Sequence, residues 1–243
     1  MALQEEFEKQ GNFLFRYRGV LPILIVIPAI AVMYFGTPVP DSPQKELYHY
    51  LFYAIALFGL AIRFYTVGCA AKNTSGRNTS EGQVADTVNR SGIYSICRHP
   101  LYIGNFFMWL GVAMLTHNTW FILFFVLLYW FYYERIMFAE EQFLRGKFGT
   151  LYTEWAAKTP AVIPAFSKWI PSIHPFNLKK SMKQEKTGFL LLNLDFLIFN
   201  CVGVTDFSNI WQEKMVWIGL LIIGVAYYII VKVLEKTTSI FEK

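Results

Sequence analysis

The sequence has few charged residues and few cysteines. Asp, Glu, Lys and Arg make up 16% of the 243 residues, whereas a soluble globular domain carries about 25%. So small a fraction cannot cover a water-soluble particle of this size, which argues against an ordinary soluble enzyme and against a disordered chain. Cys69, Cys97 and Cys201 match no zinc or redox spacing. We therefore expect them to be reduced residues that pack in the interior, and we expect no metal site.

Two further signals are missing from the sequence. The first ten residues, MALQEEFEKQ, are acidic and polar, unlike the basic start of a cleavable signal peptide. A Gly-x-Gly-x-x-Gly turn does not occur in the chain, which argues against a dinucleotide-binding Rossmann sheet. The net charge is +5, and we attribute this basic excess to membrane topology and not to nucleic-acid binding.

Apolar sequence, in contrast, is abundant. Hydrophobic residues make up 55% and aromatic residues 18% of the chain, and the mean hydropathy is +0.36. A membrane helix needs roughly 20 apolar residues, and six stretches approach this length. The sequence therefore predicts an all-α fold, a polytopic bundle of about six transmembrane helices that forms a single integral-membrane domain over residues 1–243. The expected spans are Gly19–Gly36, Leu47–Tyr65, Leu101–Leu115, Trp120–Tyr133, Gly188–Val204 and Met215–Leu234.

The basic residues segregate between the loops of this six-span arrangement. Nineteen of the 22 Lys and Arg residues lie in the two termini and in the loops 66–100 and 134–187, whereas only Lys45 and Lys214 lie in the other loops. Cytoplasmic loops carry an excess of Lys and Arg, so we expect both termini and both long loops in the cytoplasm. The stretch 169–186 mixes aromatic residues with lysines, and we expect it to lie on an anionic leaflet.

One group of candidate functional residues stands just before the third span. Arg98, His99 and Pro100 begin that helix, and Pro is favourable in a first helical turn. Free N–H groups at a helix N-terminus attract anions, so Arg98 or His99 is a candidate to hold a carboxylate. Tyr94 and Tyr102 flank these residues and could stack on an adenine or face a sulfonium. The alternative is a set of interfacial residues that only anchor the helix.

A second group of charges follows the fourth span. If that span continues as a helix, Glu134, Glu141 and Arg145 share a face, and Glu140 lies about 100° from Glu141. A carboxylate close to the bilayer usually has a partner or a ligand, so Glu140 or Glu141 is a candidate to bind an ammonium group. A solvated helix face has the same charge pattern. Arg77 lies in a polar segment that is either a solvated linker or an anion cradle.

Together the two groups suit a zwitterion that carries a purine and a sulfonium, which is S-adenosylmethionine. The chain resembles the isoprenylcysteine carboxyl methyltransferases and the phospholipid methyltransferases over residues 83–165, which leaves 166–243 as a C-terminal extension. The resemblance implies a membrane methyltransferase whose cytosolic cofactor pocket is formed by loops and helix ends. Its motif reads Gly92-Ile93-Tyr94 and Arg98-His99-Pro100-x-Tyr102-x-Gly104, then Glu140-Glu141-x-x-Leu144-x-x-x-Phe148-Gly149-x-x-Tyr152 and Pro164.

The resemblance also implies roles for individual residues. Arg135 precedes Glu140 by five residues, like a family arginine that addresses the anion of the acceptor. Arg98, Glu140 and Glu141 are the other catalytic candidates, and Arg77 is a second candidate for substrate binding. The resemblance places the cofactor against Gln83, Asp86, Thr87, Val88, Asn89, Tyr94, His99, Pro100, Leu101, Tyr102, Glu140 and Glu141.

The methyl acceptor is the least constrained part of this prediction. A carboxylate or phosphate is already an anion and needs no general base, whereas an amine must first lose a proton. The basic loops favour O-methylation of an anionic group on a membrane lipid or a lipidated substrate, such as a lipid A phosphate or a prenylcysteine carboxylate. The alternatives are a phospholipid amine N-methyltransferase, an NADPH-dependent membrane reductase of related fold, and a non-enzymatic membrane scaffold.

Overall fold

The computed structural model describes residues 2–19, 21–37, 39–40, 42–71, 74, 83–204 and 208–238. Within these ranges the chain forms helices joined by loops, and the only β-type pairing is an isolated bridge between Gly92 and Ile170. The prediction of an all-α membrane bundle is confirmed. The helices are α1 Leu3–Tyr17, α2 Leu21–Phe35, α3 Pro43–Cys69, α4 Pro100–Met114, α5 Thr119–Phe148, α6 Thr150–Lys158, α7 Leu178–Cys201, α8 Ile210–Glu213 and α9 Met215–Thr237.

The helices differ in how well they suit a membrane crossing. Among the described residues, α3, α5 and α9 are long and apolar enough to span a bilayer, and α4 and residues 24–35 of α2 are shorter apolar helices. α7 covers the fifth predicted span, but it starts earlier and carries charged residues along its first half. Three full-length candidates and two shorter ones therefore stand where the sequence predicts about six spans.

α1 is a helix that the apolar pattern does not predict. It packs lengthwise on α5, and Phe15 on its inner face is buried in the core. A side chain at Gly11 would collide with the backbone carbonyl of Arg135. The hydroxyl of Tyr132 donates a hydrogen bond to the carbonyl of Leu14 over 3.1 Å. α5 thus contacts α1 along one face, which decides where the side chains of that face can point.

α3 and α4 pack with their backbones in contact. A Cβ atom at Gly59 would overlap the carbonyl oxygen of Gly104, and a Cβ atom at Gly104 would overlap the side chain of Arg63. Farther along α4, Gly111 lies in the same way against the carbonyl of Phe52. Small residues at the contact allow membrane helices to approach this closely. The motif residue Gly104 therefore makes room for the aliphatic part of Arg63.

The segment that follows α6 wraps around the start of α4. The Arg98 amide donates to the carbonyl of Pro160 over 2.9 Å, and the Gly92 amide donates to the carbonyl of Ile170 over 2.8 Å. Gly92 has a φ of 61°, a left-handed conformation that favours glycine. These bonds fix the backbone that presents the Arg98-His99-Pro100 motif.

Candidate active site

The two halves of the sequence motif meet at the N-terminal end of α4. Pro100 is the first residue of α4, and His99 caps the helix. The C-terminal part of α5, which continues past the apolar stretch, runs beside this end. His99 Nε2 lies 2.9 Å from Glu141 Oε1, and the hydroxyl of Tyr102 donates to Glu140 Oε2 over 2.9 Å. The histidine–tyrosine motif and the paired carboxylates therefore form one cluster.

The two neighbouring glutamates have different surroundings. Glu141 Oε1 accepts hydrogen bonds from Arg98 Nε at 2.8 Å and from His99 Nε2 at 2.9 Å. Glu140 accepts from Tyr102, and its Oε2 lies 3.7 Å from His99 Nδ1. The side chain of Glu140 is 29% exposed, against 19% for Glu141. Glu140 lines the cavity described below and Glu141 does not, so Glu140 is the glutamate whose carboxylate can accept from a ligand in the cavity.

His99 is buried between two carboxylates. Burial alone would lower the pKa of its imidazole, but hydrogen bonds to Glu140 and Glu141 and their negative charges raise the pKa above its ordinary value of 6.5. A protonated imidazole donates from both ring nitrogens, and here both nitrogens face carboxylates. With Arg98, a protonated His99 would balance the charges of the two carboxylates.

Arg98 joins three helices. Its Nε donates to Glu141 on α5, and its Nη1 donates to the carbonyls of Ala156 at 2.8 Å and Thr159 at 2.6 Å at the end of α6. Three of the five N–H donors of this guanidinium are therefore bound to protein groups. Arg98 holds α6 against the start of α4, in addition to lining the cavity.

A cavity of about 270 Å³ opens beside this cluster. Three polar side-chain atoms that line it are buried and have no hydrogen-bond partner among the described residues: Gln83 Oε1, the hydroxyl of Tyr152 and Trp155 Nε1. Burial raises the pKa of Tyr152, so its hydroxyl is neutral. Buried polar atoms are normally hydrogen-bonded, so one acceptor, one hydroxyl and one donor are left for a ligand.

Most residues that the resemblance assigns to the cofactor lie on the wall of this cavity. Asp86 is exposed and does not line it, and Glu141 lies behind Arg98 and His99. Arg77 lies outside the described residues. The predicted residues that do line the cavity are Gln83, Thr87, Val88, Asn89, Tyr94, Arg98, His99, Pro100, Leu101, Tyr102 and Glu140.

Arg135, the predicted acceptor residue, lies on another face of α5. Its guanidinium carbon is 3.5 Å from the ring centroid of Phe7 on α1 and 5.0 Å from that of Phe131, and its Nη1 lies 3.2 Å from Glu134 Oε2. Arg135 lines a separate groove between α1 and α5. The structure thus does not bring Arg135 to the cavity that holds the carboxylate cluster.

Other residues line the cavity that the sequence analysis does not single out. Arg63 is the most notable, because the sequence places it only as a charge at the end of the second span. Its partner Glu185 is 122 residues away, so no local motif connects the two. The one sequence feature that could have identified Arg63 is its position, because it is an ionisable residue at the end of an apolar helix. The additional lining residues include Phe15, Arg18, Arg63, Asn105, Trp155, Gln184 and Glu185.

Known proteins match the chain across this region. The sequence profile named phospholipid methyltransferase matches residues 47–151. A cobalt-zinc-cadmium resistance protein of Cupriavidus metallidurans is 30% identical over 201 residues, which are 79% of this chain and 88% of that protein. A protein-S-isoprenylcysteine O-methyltransferase of Schizosaccharomyces pombe is 40% identical over 74 residues, 30% of this chain and 31% of that protein. The Xenopus laevis protein of the same name is 32% identical over 127 residues, 51% of this chain and 43% of that protein.

The matches differ in extent. The chain spans less than half the length of the two isoprenylcysteine methyltransferases but most of the length of the C. metallidurans protein. No solved structure matches the chain. The profile match includes both the start of α4 and the paired glutamates of α5. The chain is a membrane methyltransferase and belongs to the family that contains the isoprenylcysteine and the phospholipid methyltransferases.

Proposed function

We propose that this methyltransferase uses S-adenosylmethionine and methylates an anionic oxygen of a lipid or lipidated acceptor in the membrane. The observation that carries the proposal is the cavity wall, where the Glu140 carboxylate lies beside the buried imidazole of His99. A cavity with a few convergent polar groups and a perturbed titratable group is the expected form of a small-molecule site.

The residues of the cavity fit the proposed cofactor. The Glu140 carboxylate is suited to an ammonium group, and the first turn of α4, with Arg98, is suited to a carboxylate. Gln83 Oε1 and Trp155 Nε1 supply an unpaired acceptor and an unpaired donor of the kinds that the edge of a purine requires. When bound, S-adenosylmethionine would supply an electrophilic methyl group on its sulfonium.

The charges of the chain favour an anionic acceptor. A carboxylate or phosphate oxygen needs no general base at neutral pH, so the chain's task is to align it and to exclude water. The S. pombe and X. laevis relatives are named for a prenylated cysteine, and the matching profile is named for phospholipids. Both names support an acceptor with an apolar anchor in the bilayer and a polar group at its surface.

The proposed location of the site is the cytoplasmic surface of the membrane. The cavity is formed by helix ends and by the loop residues 83–99, which belong to the segments rich in Lys and Arg. The positive-inside pattern supports a cytoplasmic position for these segments. The cofactor would then enter from the cytosol, while the acceptor stays in the bilayer.

Calorimetry on the detergent-purified chain tests the cofactor. We expect saturable binding of S-adenosylhomocysteine with one site per chain and no comparable binding of NADPH. Incubation with a radiolabelled methyl donor and total lipid extract then tests the acceptor, and we expect label in an ester of a carboxylate or phosphate. Binding of NADPH alone, binding of neither nucleotide, or label found only on an amine nitrogen would contradict the proposal.

A further inference from the structure

The part of the cavity wall farthest along the chain comes from the C-terminal extension. Gln184 and Glu185 of α7 line the cavity together with Arg63 of α3 and Asn105 of α4. α7 lies beyond residues 47–151, which the family profile matches. The extension therefore does more than add membrane helices, because it contributes polar side chains to the candidate active site.

Arg63 and Glu185 form a paired ionic contact. Arg63 Nε donates to Glu185 Oε2 over 2.8 Å, and Arg63 Nη2 donates to Glu185 Oε1 over 2.7 Å. Arg63 Nη1 donates to Asn105 Oδ1 over 2.7 Å. A bidentate contact of this kind fixes the plane of a guanidinium. Three of its five N–H donors are used in these bonds, and the other two have no hydrogen-bond partner among the described residues.

The two members of the pair are not equally accessible. The side chain of Glu185 is 3% exposed and that of Arg63 is 23% exposed. Both residues line the cavity, but the carboxylate is almost fully enclosed between helices, and the guanidinium is the more exposed member. A group that enters this part of the cavity therefore meets the guanidinium N–H donors first, and both carboxylate oxygens already accept from Arg63, which favours an anion over a cation.

The surroundings hold Arg63 in place. Gly104 leaves space for its aliphatic part, and α7 is tied to the end of α3 by hydrogen bonds. Ser181 Oγ donates to the carbonyl of Phe64 over 2.7 Å, and Lys180 Nζ donates to that of Ala70 over 2.7 Å. The guanidinium is thus oriented before a ligand arrives, which lowers the entropic cost of binding.

We propose that Arg63, oriented by Glu185, binds the anionic group of the methyl acceptor, and that α7 forms the acceptor subsite. The inference rests on the proposed function, which assigns the other polar wall of the cavity, around His99 and Glu140, to the cofactor. The ligand class is a carboxylate or phosphate on an apolar anchor. Glu185 is a positioning residue, since it acts on the acceptor through Arg63.

A double variant separates this role from a merely structural one. Arg63→Met with Glu185→Met removes both charges and leaves neither partner buried alone, a change that proteins often tolerate without loss of stability. The matched control is Lys186→Met with Glu235→Met, because Lys186 Nζ and Glu235 Oε2 form a 2.7 Å ion pair that joins α7 to α9 and neither residue lines the cavity.

The measurement is probe binding by the full chain in phosphatidylcholine nanodiscs saturated with S-adenosylhomocysteine. The probes are dodecyl phosphate and N-acetyl-S-farnesylcysteine, and the methyl ester of the latter is the uncharged control. We expect the double variant to bind at least one anionic probe about tenfold more weakly than the wild type. Its affinity for S-adenosylhomocysteine should stay unchanged, and the control variant should match the wild type in both measurements.

The outcomes are distinct. The inference is overturned if the double variant binds the anionic probes as tightly as the wild type, or if the saturated wild type binds neither probe. Failure of the wild type to bind S-adenosylhomocysteine would instead contradict the proposed function. Preference for one probe identifies the acceptor as a phosphate or a carboxylate. If the double variant does not fold, Arg63→Lys is the variant to test. It keeps the positive charge but loses the planar guanidinium, so we expect it to bind the anionic probes more weakly than the wild type.

Discussion

α4 has a histidine cluster at each end, and carboxylates contact the histidine in one of the two clusters. At its N-terminal end, His99 lies between two carboxylates and beside the cavity. In the loop after its C-terminal end, His117 Nε2 lies 2.9 Å from His49 Nε2. His49 Nδ1 in turn lies 2.7 Å from Asn200 Oδ1. Both clusters join three segments of the chain, but neither His49 nor His117 lines the cavity.

The difference shows which feature makes a binding site in this fold. Carboxylates raise the pKa of His99, whereas burial and the positive charge of Lys45 lower the pKa of His117. In the cluster of His49, His117 and Asn200, a neutral His49 that donates from Nδ1 to Asn200 Oδ1 accepts at Nε2 from His117 Nε2. In the charged cluster, which surrounds His99, the Glu140 carboxylate lines the cavity and can accept from a ligand there. A buried histidine is thus not sufficient to form a binding site. The carboxylate that can accept from a ligand is what distinguishes the candidate site.

The largest expected effect comes from the two adjacent glutamates of the charged cluster. Glu140→Gln removes the charge that faces the cavity, and we expect the affinity for S-adenosylhomocysteine to fall about 30-fold or more. Glu141→Gln is the matched control, since its carboxylate is bound to Arg98 and His99. It should lower the midpoint of thermal unfolding with a smaller effect on affinity. A greater affinity loss for Glu141→Gln, measured by calorimetry, would reverse the assignment.

The two histidines should respond to pH in opposite directions. Because the pKa of folded His99 is raised, its contribution to stability is complete below pH 6.5 and is lost as the pH rises through the raised value. The lowered pKa of His117 gives stability that is present above pH 6.5 and is lost on acidification. Thermal unfolding across a pH series should show both effects. His99→Gln should flatten the alkaline side and His117→Gln the acidic side, and unchanged profiles would show that neither histidine is coupled to folding.

The smallest effect is expected away from both clusters, at Arg135. Arg135→Ala removes the contact with the rings of Phe7 and Phe131, which should lower the free energy of unfolding by about 1 kcal/mol. The affinity for S-adenosylhomocysteine should stay the same, because Arg135 does not line the cavity. Turnover with the identified acceptor gives the second measurement. A loss of turnover at unchanged cofactor affinity would support the acceptor role that the family resemblance implies.

The sequence predicts the scaffold of the site well. Long apolar stretches predict α3, α5 and α9, and the predicted third span begins one residue after the observed start of α4 at Pro100. The pairing of the Arg98-His99-Pro100 motif with the two glutamates follows from the short connection between α4 and α5, which forces the helices to lie side by side. Periodicity alone left open whether Glu140 or Glu141 faces the ligand, because that depends on the position of Arg98 in three dimensions.

Two parts of the structure have no local sequence signal. α1 contains several charged residues, and its amphipathic face becomes informative only once α5 is present to cover it. The contact between Arg63 and Glu185 joins positions 122 residues apart, one at the end of an apolar helix and one in a segment that resembles an interfacial stretch. Only the packing of α7 on α3 brings them together, and this packing depends on side-chain shape along both helices.

The glycines between α3 and α4 also limit how a membrane-bound acceptor can arrive. At Gly59 and Gly104 the two helices are too close for even a methyl group to fit between them, so no hydrocarbon chain can slide through that seam. A tail anchored in the bilayer therefore has to reach the cavity by a route other than this seam. If it passes beside α7, the helix that supplies the acceptor subsite also borders the route by which the acceptor enters from the bilayer.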